Sequence, residues 1–177
     1  MPTFVAMLRA INVGGRVYKM ADLRAHLETS GLTEVETYIQ TGNVRFNTGM
    51  RSASKVEAHV EAAMRAGRGL DVPAIIMTPD ELVAVYADAM ALEDPFGSGG
   101  GSRYVSFFKE PVSTSAAREI EAYDVPGERG WVRGRAVHVW IDGPMMEANF
   151  FNVFKKALAR GTNRNLTVVA ALAERWG

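Results

Sequence analysis

The order in which strand-like and helix-like segments follow one another constrains the fold of this chain most. Short apolar runs rich in Val, Ile and Phe predict strands, and apolar residues spaced three and four apart predict helices. These patterns place a strand at 4–8, a helix at 20–30, strands at 35–40 and 44–47, a helix at 52–66 and a strand at 72–77. This β-α-β-β-α-β order is typical of a ferredoxin-like unit. A further helix follows, from Pro79 to about Met90.

The same order partly repeats after a segment that is rich in glycine and serine. Residues 93–102, EDPFGSGGGS, are predicted to be a linker between halves at 1–92 and 103–177 that form one compact unit. The second half shows a strand at 104–108, a helix at 114–122, strands at 130–133 and 136–141, and helices at 145–159 and 167–175. The predicted fold class is α+β, with two ferredoxin-like βαββα halves packed together. An extra C-terminal helix takes the place of the last strand.

The predicted first strand carries apolar side chains on both of its faces. Phe4, Ala6 and Leu8 share one face, whereas Val5 and Met7 share the other. Because an isolated antiparallel sheet has one polar face, we expect each half to cover its second sheet face with the other half or with another subunit. The alternative is a central strand within one larger sheet.

Composition excludes several classes of protein. The 177 residues include 20 basic and 20 acidic ones, and a strongly basic nucleic-acid-binding protein would not balance to zero. The absence of cysteine excludes disulfides, thiolate nucleophiles and cysteine-ligated zinc. No apolar run is long enough to span a membrane and no signal-peptide pattern is present, so we expect a cytoplasmic protein without a membrane partner.

The three histidines do not form a metal-binding or catalytic pattern. His26 and His59 flank the apolar faces of separate predicted helices, and His138 shares a strand face with Trp140, which favours packing. No pair has the spacing of a helical metal site, and no serine-nucleophile motif is present. We therefore expect no metal and no cofactor. Whether the protein is an enzyme stays open.

Two polar, glycine-bearing segments follow the first two strands. Those strands run in the same direction in a βαββαβ unit, so the two segments are expected at the same end of the sheet. Backbone N–H groups at glycines can approach an anion closely, and an arginine adds a fixed charge. Ordinary turns are the alternative. The candidate ligand-binding residues at this corner are Arg9, Asn12, Gly14, Gly15, Gln40, Gly42 and Asn43.

A second polar cluster, GTNRN at residues 161–165, lies between the last two predicted helices. Gly161 is expected to close the first of these helices, and Asn165 or Thr167 to cap the second. Arg164 has no evident structural role in such a loop and is a candidate clamp for phosphate or carboxylate, with a structural ion pair as the alternative. Arg164 and Asn165 join the first corner if the C-terminal loop folds back. If these groups instead satisfy one another, they form a structural lock between the halves.

These motifs resemble the bacterial domain of unknown function 1697 family. The resemblance spans essentially the whole chain and is carried by LRAINVGG at 8–15, MADL at 20–23, TYIQTGNVRF at 37–46 and GTNRN at 161–165. The family typically reads LRGIN, TYIQSGN and T-x-RN-W, so this chain departs at Ala10, Thr41 and Leu166. The resemblance implies a compact two-part α/β fold. It implies no activity, cofactor or catalytic residue.

We predict a cytosolic binding protein with a polar site for a small anion or metabolite at the converging loops. The first alternative is a weak nucleic-acid-binding module, because basic residues cluster near both ends of the chain. These residues are Arg9, Arg16, Lys19, Lys155, Lys156, Arg160 and Arg164. A metal-independent enzyme is the second alternative. A scaffold protein with a subunit-covered sheet face is the third, and the oligomeric state stays open.

Overall fold

The computed structural model describes residues 1–15 and 17–177, so Arg16 and its predicted part in a basic face lie outside the described residues. The chain divides into two units, Met1–Leu82 with Trp176–Gly177, and Val83–Arg175. The first unit contains β1 (Thr3–Leu8), α1 (Met20–Thr29), β2 (Thr33–Tyr38), β3 (Asn43–Asn47), α2 (Ala53–Arg68) and β4 (Ala74–Met77). Helix α3 (Pro79–Ala91) crosses the boundary between the units.

The sheet of the first unit has the strand order β2-β3-β1-β4, and its neighbouring strands are antiparallel. Phe4 and Leu8 of β1 pack in one apolar core with Leu23 of α1 and Val56 of α2. Val5, on the opposite face of β1, is also fully buried. The prediction that β1 is buried on both faces is confirmed.

The two helices of the first unit end differently. Helix α1 ends as predicted, because Gly31 follows it with a left-handed φ of 94° that suits glycine. Helix α2 was predicted to stop at residue 66, but it continues to Arg68 and is closed by Gly69. Gly67 is therefore inside the helix. A Cβ there would lie 2.4 Å from Nδ1 of His26, so the helix needs a glycine at this position for packing.

The second unit repeats the strand order of the first. Its sheet runs β6-β7-β5-β8 with antiparallel neighbours, which confirms the α+β class, and the chain ends in the expected helix. Both sheets have four strands, one more in the second unit than was predicted. The elements are β5 (Ser102–Phe107), α4 (Thr114–Glu121), β6 (Glu128–Arg133), β7 (Ala136–Ile141), a 3-10 turn (Met145–Glu147), α5 (Phe150–Val153), α6 (Lys155–Leu158), β8 (Thr162–Asn165) and α7 (Leu166–Trp176).

The predicted helix over 145–159 is wrong in its continuity, because the segment is broken into the 3-10 turn, α5 and α6. The buried carboxylate of Glu128 accepts hydrogen bonds from the backbone N–H groups of Asn149 at 2.9 Å and Phe150 at 2.6 Å. These bonds satisfy N–H groups at the start of a helix, so a new helix begins there.

The predicted loop at 161–165 is also wrong. Residues Thr162–Asn165 form β8, which pairs with β5 in the position where the last strand was expected to be missing. Thr162 and Arg164 are buried while Asn163 and Asn165 are exposed, which is the alternation of a half-buried strand. In the described part of the chain, no helix is long and apolar enough to cross a membrane.

Candidate functional site

The two polar segments of the first unit meet, as predicted from the direction of β1 and β2. The Asn12 side-chain amide donates a hydrogen bond from Nδ2 to the carbonyl oxygen of Gln40 at 2.7 Å. The backbone N–H of Leu8 donates to the carbonyl oxygen of Gly42 at 2.8 Å. The loop after β1 and the turn after β2 are therefore joined by direct bonds.

The Asn12 side chain also closes its own loop. Its Nδ2 donates to the carbonyl oxygen of Tyr18 at 3.2 Å, and its Oδ1 accepts from the backbone N–H of Tyr18 at 2.5 Å. Both Nδ2 bonds and the Oδ1 bond stay within the protein. We therefore assign Asn12 the role of holding the loop in shape, with no capacity left for a ligand on Nδ2.

Tyr18 extends this connection to the helices, although no motif in the sequence pointed to this residue. Its hydroxyl lies 2.5 Å from Nδ1 of His26, and the guanidinium of Arg68 lies 5.2 Å from the centre of its ring. Burial raises the pKa of Tyr18 above its ordinary value. The space left by Gly67 admits the His26 ring. The loop after β1 is thus anchored to both α1 and α2.

The turn after β2 is held by Asn43 and Gly42. Asn43 is fully buried, and its Nδ2 donates to the carbonyl oxygen of Tyr38 at 3.1 Å and to Oγ1 of Thr41 at 2.9 Å. A Cβ on Gly42 would lie 2.8 Å from Cγ2 of Ile11. Both residues therefore have a structural role in bringing the turn against the loop.

Besides Asn12, which is half-buried and bonded within the protein, four of the candidate residues at this corner face solvent at least in part. Gly14, Gly15 and Gln40 are exposed, and Arg9 is half-buried. The two glycines have left-handed φ values of 63° and 82°, with open space at their Cα atoms. The backbone N–H of Arg9 donates to the carbonyl oxygen of Pro73 at 2.9 Å, which fixes the end of β1. These four residues are the ones that a ligand can reach.

Two strained residues flank the corner, and sequence reasoning missed both. Ala10 has φ 53° and Ile39 has φ 49°, in the left-handed region that costs a non-glycine residue about 1–2 kcal/mol. For a β-branched residue such as Ile39 this conformation is exceptional. One signal was present in the sequence, since Ala10 stands where the resembling family has glycine.

Arg164 and Asn165 belong to the other unit. The Arg164 guanidinium is buried in β8, and its Nη1 donates to Oγ1 of Thr162 at 2.9 Å and to the carbonyl oxygen of Asn163 at 2.8 Å. Burial lowers the pKa of Arg164 to about 10. Arg164 is therefore a strand residue with structural contacts. Asn165 caps α7 as predicted, since its Oδ1 accepts from the N–H of Val168 at 2.8 Å. A shared site with the first corner stays a prediction.

The alternatives to a small-ligand site gain no new support. Lys155, Lys156 and Arg160 are exposed, but the burial of Arg164 removes it from the proposed basic face. Phe107 is buried and offers no platform for a base. Within residues 1–15 and 17–177, no cluster of three or more His, Asp and Glu side chains is arranged to hold a metal ion.

Comparison with known proteins gives a family and a fold. No curated protein matches the chain. This chain is similar to the solved structure of the conserved bacterial protein SP0830 from Streptococcus pneumoniae, with a TM-score of 0.76 and 19% sequence identity. The match covers 98% of this chain and 97% of that one. At this identity the similarity shows the fold alone. A family model described as protein of unknown function (DUF1697) matches residues 1–138, which include the motifs at 8–15, 20–23 and 37–46. The chain therefore belongs to the DUF1697 family, which is described as one of unknown function.

Proposed function

We propose that this protein binds a small anionic metabolite at the corner formed by the loop after β1 and the turn after β2. The observation that supports this most directly is the Asn12 connection between two segments that each contain a strained residue, Ala10 and Ile39. Strained backbone of this kind is found preferentially where a binding surface needs an exact shape.

Some residues of this corner have a structural role, and others contact the ligand. Asn12, Gly42 and Asn43 hold the two segments together. Arg9 supplies the charge, while exposed backbone N–H groups at Gly14 and Gly15 donate to the anion. Gln40, on the facing turn, supplies a neutral amide that can donate or accept. A rigid, charged and glycine-lined corner of this kind suits a phosphate or carboxylate group.

The test uses thermal unfolding of the whole chain with inorganic phosphate, AMP and citrate as probes. A probe at one hundred times its Kd stabilises the protein by about 2.7 kcal/mol. Arg9→Gln is expected to weaken binding about tenfold or more, because it removes a charge-assisted hydrogen bond. Arg51→Gln is the matched control, since Arg51 is an exposed arginine that follows the far end of β3.

Two results would contradict the proposal. One is that none of the three probes shifts the unfolding temperature. The other is that Arg9→Gln and Arg51→Gln bind a probe equally well. In either case the contacts of Asn12 and Asn43 are a structural lock within the first unit and not the support of a binding site.

A further inference from the structure

The second unit contains a cleft of about 540 Å³ that is separate from the corner around Arg9. Helix α3 contributes Tyr86 and Met90 to its walls, and β5 contributes Arg103 and Tyr104. The third wall is the start of α7, with Thr167. The cleft thus combines the Arg103 cation, the hydroxyl-bearing residues Tyr86, Ser102 and Thr167, and the aromatic ring of Tyr86.

Arg103 lies in this cleft without a carboxylate partner among the described residues. Its guanidinium stacks over the Trp140 ring, 4.1 Å from the ring centre, and Nη2 donates to the carbonyl oxygen of Ala89. Burial lowers the pKa of Arg103. A partly desolvated cation with no neighbouring carboxylate gains free energy when an anion binds.

A second arginine beside the same tryptophan shows the contrast. Both Arg103 on β5 and Arg129 on β6 are opposite Trp140 of the central strand β7. Arg129 forms an ion pair with Asp124 and lies 5.6 Å from the centre of the Phe96 ring. The protein therefore supplies a carboxylate, Asp124, for Arg129, whereas Arg103 lines the cleft.

His138 provides an independent indication of a ligand next to the cleft. It is only 2% exposed, and neither ring nitrogen has a hydrogen-bond partner in the described part of the chain. His138 lines a small chamber of about 10 Å³, whose walls share Arg103, Tyr104 and Leu166 with the cleft. Buried polar atoms are normally hydrogen-bonded. The two unpaired nitrogens of His138 therefore indicate that a polar group of a ligand is their hydrogen-bond partner.

We propose that the cleft binds a small organic acid in which a carboxylate or phosphate monoester is attached to a planar ring. The acid group binds Arg103, and the ring packs against Tyr86 and Met90. His138 lines the adjoining chamber of about 10 Å³, which admits a group the size of one water molecule, so a hydroxyl of the ligand is the substituent that it hydrogen-bonds. The chemical class follows from a single cation, the Tyr86 ring beside Met90 and a volume that suits a small ligand.

The experiment measures binding of benzoate, phenyl phosphate and neutral benzyl alcohol to the whole chain by saturation-transfer NMR and calorimetry. We expect at least one of the two anions to bind. The affinity for neutral benzyl alcohol is expected to be lower by about tenfold or more. The acid that binds more tightly identifies the group that Arg103 recognises. Arg103→Gln is expected to lower its affinity about tenfold, whereas Arg129→Gln leaves the affinity unchanged.

Arg103→Gln also removes the contact with Trp140, so a second variant blocks the cleft from an exposed position. Thr167→Trp fills the space at the start of α7 and is expected to abolish binding. The proposal is overturned if neither anion binds at millimolar concentration. It is equally overturned if Thr167→Trp binds like the wild type, or if Arg129→Gln weakens binding as much as Arg103→Gln.

Discussion

The two units share one strand order but differ in how one buried polar side chain of each is satisfied. In the first unit, the Asn43 amide is fully buried and donates to groups of its own turn. In the second unit, the imidazole of His138 is equally buried and has no hydrogen-bond partner among the described residues. A polar group that is satisfied inside the protein contributes to the architecture. One that is left unsatisfied needs another explanation, and ligand binding is the one proposed here.

The difference extends to corresponding faces of the two sheets. Val5 and Met7 lie on the face of β1 that points away from the core of α1 and α2. Both are fully buried, and their apolar side chains have no hydrogen-bonding groups to satisfy. On β5 and β7, the face that carries Val105 also carries Arg103 and His138. On this face the middle of β1 is therefore apolar at Val5 and Met7, whereas β5 carries Arg103 beside Val105 and is paired there with His138 of β7.

The largest effect expected from this comparison is a loss of stability in acid that depends on His138. Burial, the main cause, lowers its pKa to about 4, while Asp88 acts to raise the pKa and Arg133 and Arg103 act to lower it. Between pH 6.5 and pH 4 the unfolded chain binds a proton that the folded chain does not, so the free energy of unfolding falls as the pH falls. The expected loss from this group is about 3 kcal/mol.

Urea unfolding at a series of pH values measures this loss, and His138→Leu removes it. The variant is expected to be as stable as the wild type at pH 7 or slightly more stable, because it replaces an unsatisfied polar group by an apolar one. If His138→Leu keeps the full pH dependence, His138 is not the group responsible and the contrast between the units is weakened.

A second satisfied polar group of the first unit, Asn12, is expected to behave in the opposite way to His138. Asn12→Ala removes three hydrogen bonds and leaves partners on Tyr18 and Gln40 unpaired, which lowers the free energy of unfolding by about 2.5 kcal/mol. Urea unfolding at neutral pH compares it with Asn152→Ala, a change at an exposed asparagine. Equal stability of the two variants would show that the two segments do not depend on Asn12.

The sequence was sufficient to predict elements whose apolar pattern is dictated by the core. The apolar run from Phe4 to Leu8, with Phe and Val, predicted a buried strand, and its direction relative to β2 placed the two polar segments together. The sequence was insufficient to predict β8, because Thr162–Asn165 is entirely polar. This segment becomes a strand by pairing with β5, which is far away in the chain. Arg103 was missed because nothing local shows whether an arginine will have a carboxylate partner.

The close contact of the two segments can be tested with a pair of glycines that differ only in their surroundings. Gly42 and Gly14 both have a left-handed φ, but a Cβ would clash with Ile11 and Leu8 only at Gly42. Gly42→Ala is expected to cost about 2 kcal/mol more than Gly14→Ala, since it adds a steric clash to the same backbone strain. Thermal unfolding of both variants measures the difference, and equal losses would mean that the segments can separate without cost.

The smallest expected effect has the opposite sign. Ala10→Gly relieves a left-handed φ of 53° and is expected to stabilise the protein by about 0.5–1 kcal/mol, although glycine makes the unfolded chain more flexible. Ala25→Gly at an exposed position within α1 is the control and is expected to lower stability by about 1 kcal/mol. If Ala10→Gly stabilises the fold and weakens binding of the anionic probes, the strain at Ala10 is linked to the shape of the corner. If it stabilises the fold and leaves binding unchanged, the strain at Ala10 is no evidence for a site there, and the ligand-binding hypothesis then rests on the second unit, where the buried His138 has no hydrogen-bond partner among the described residues.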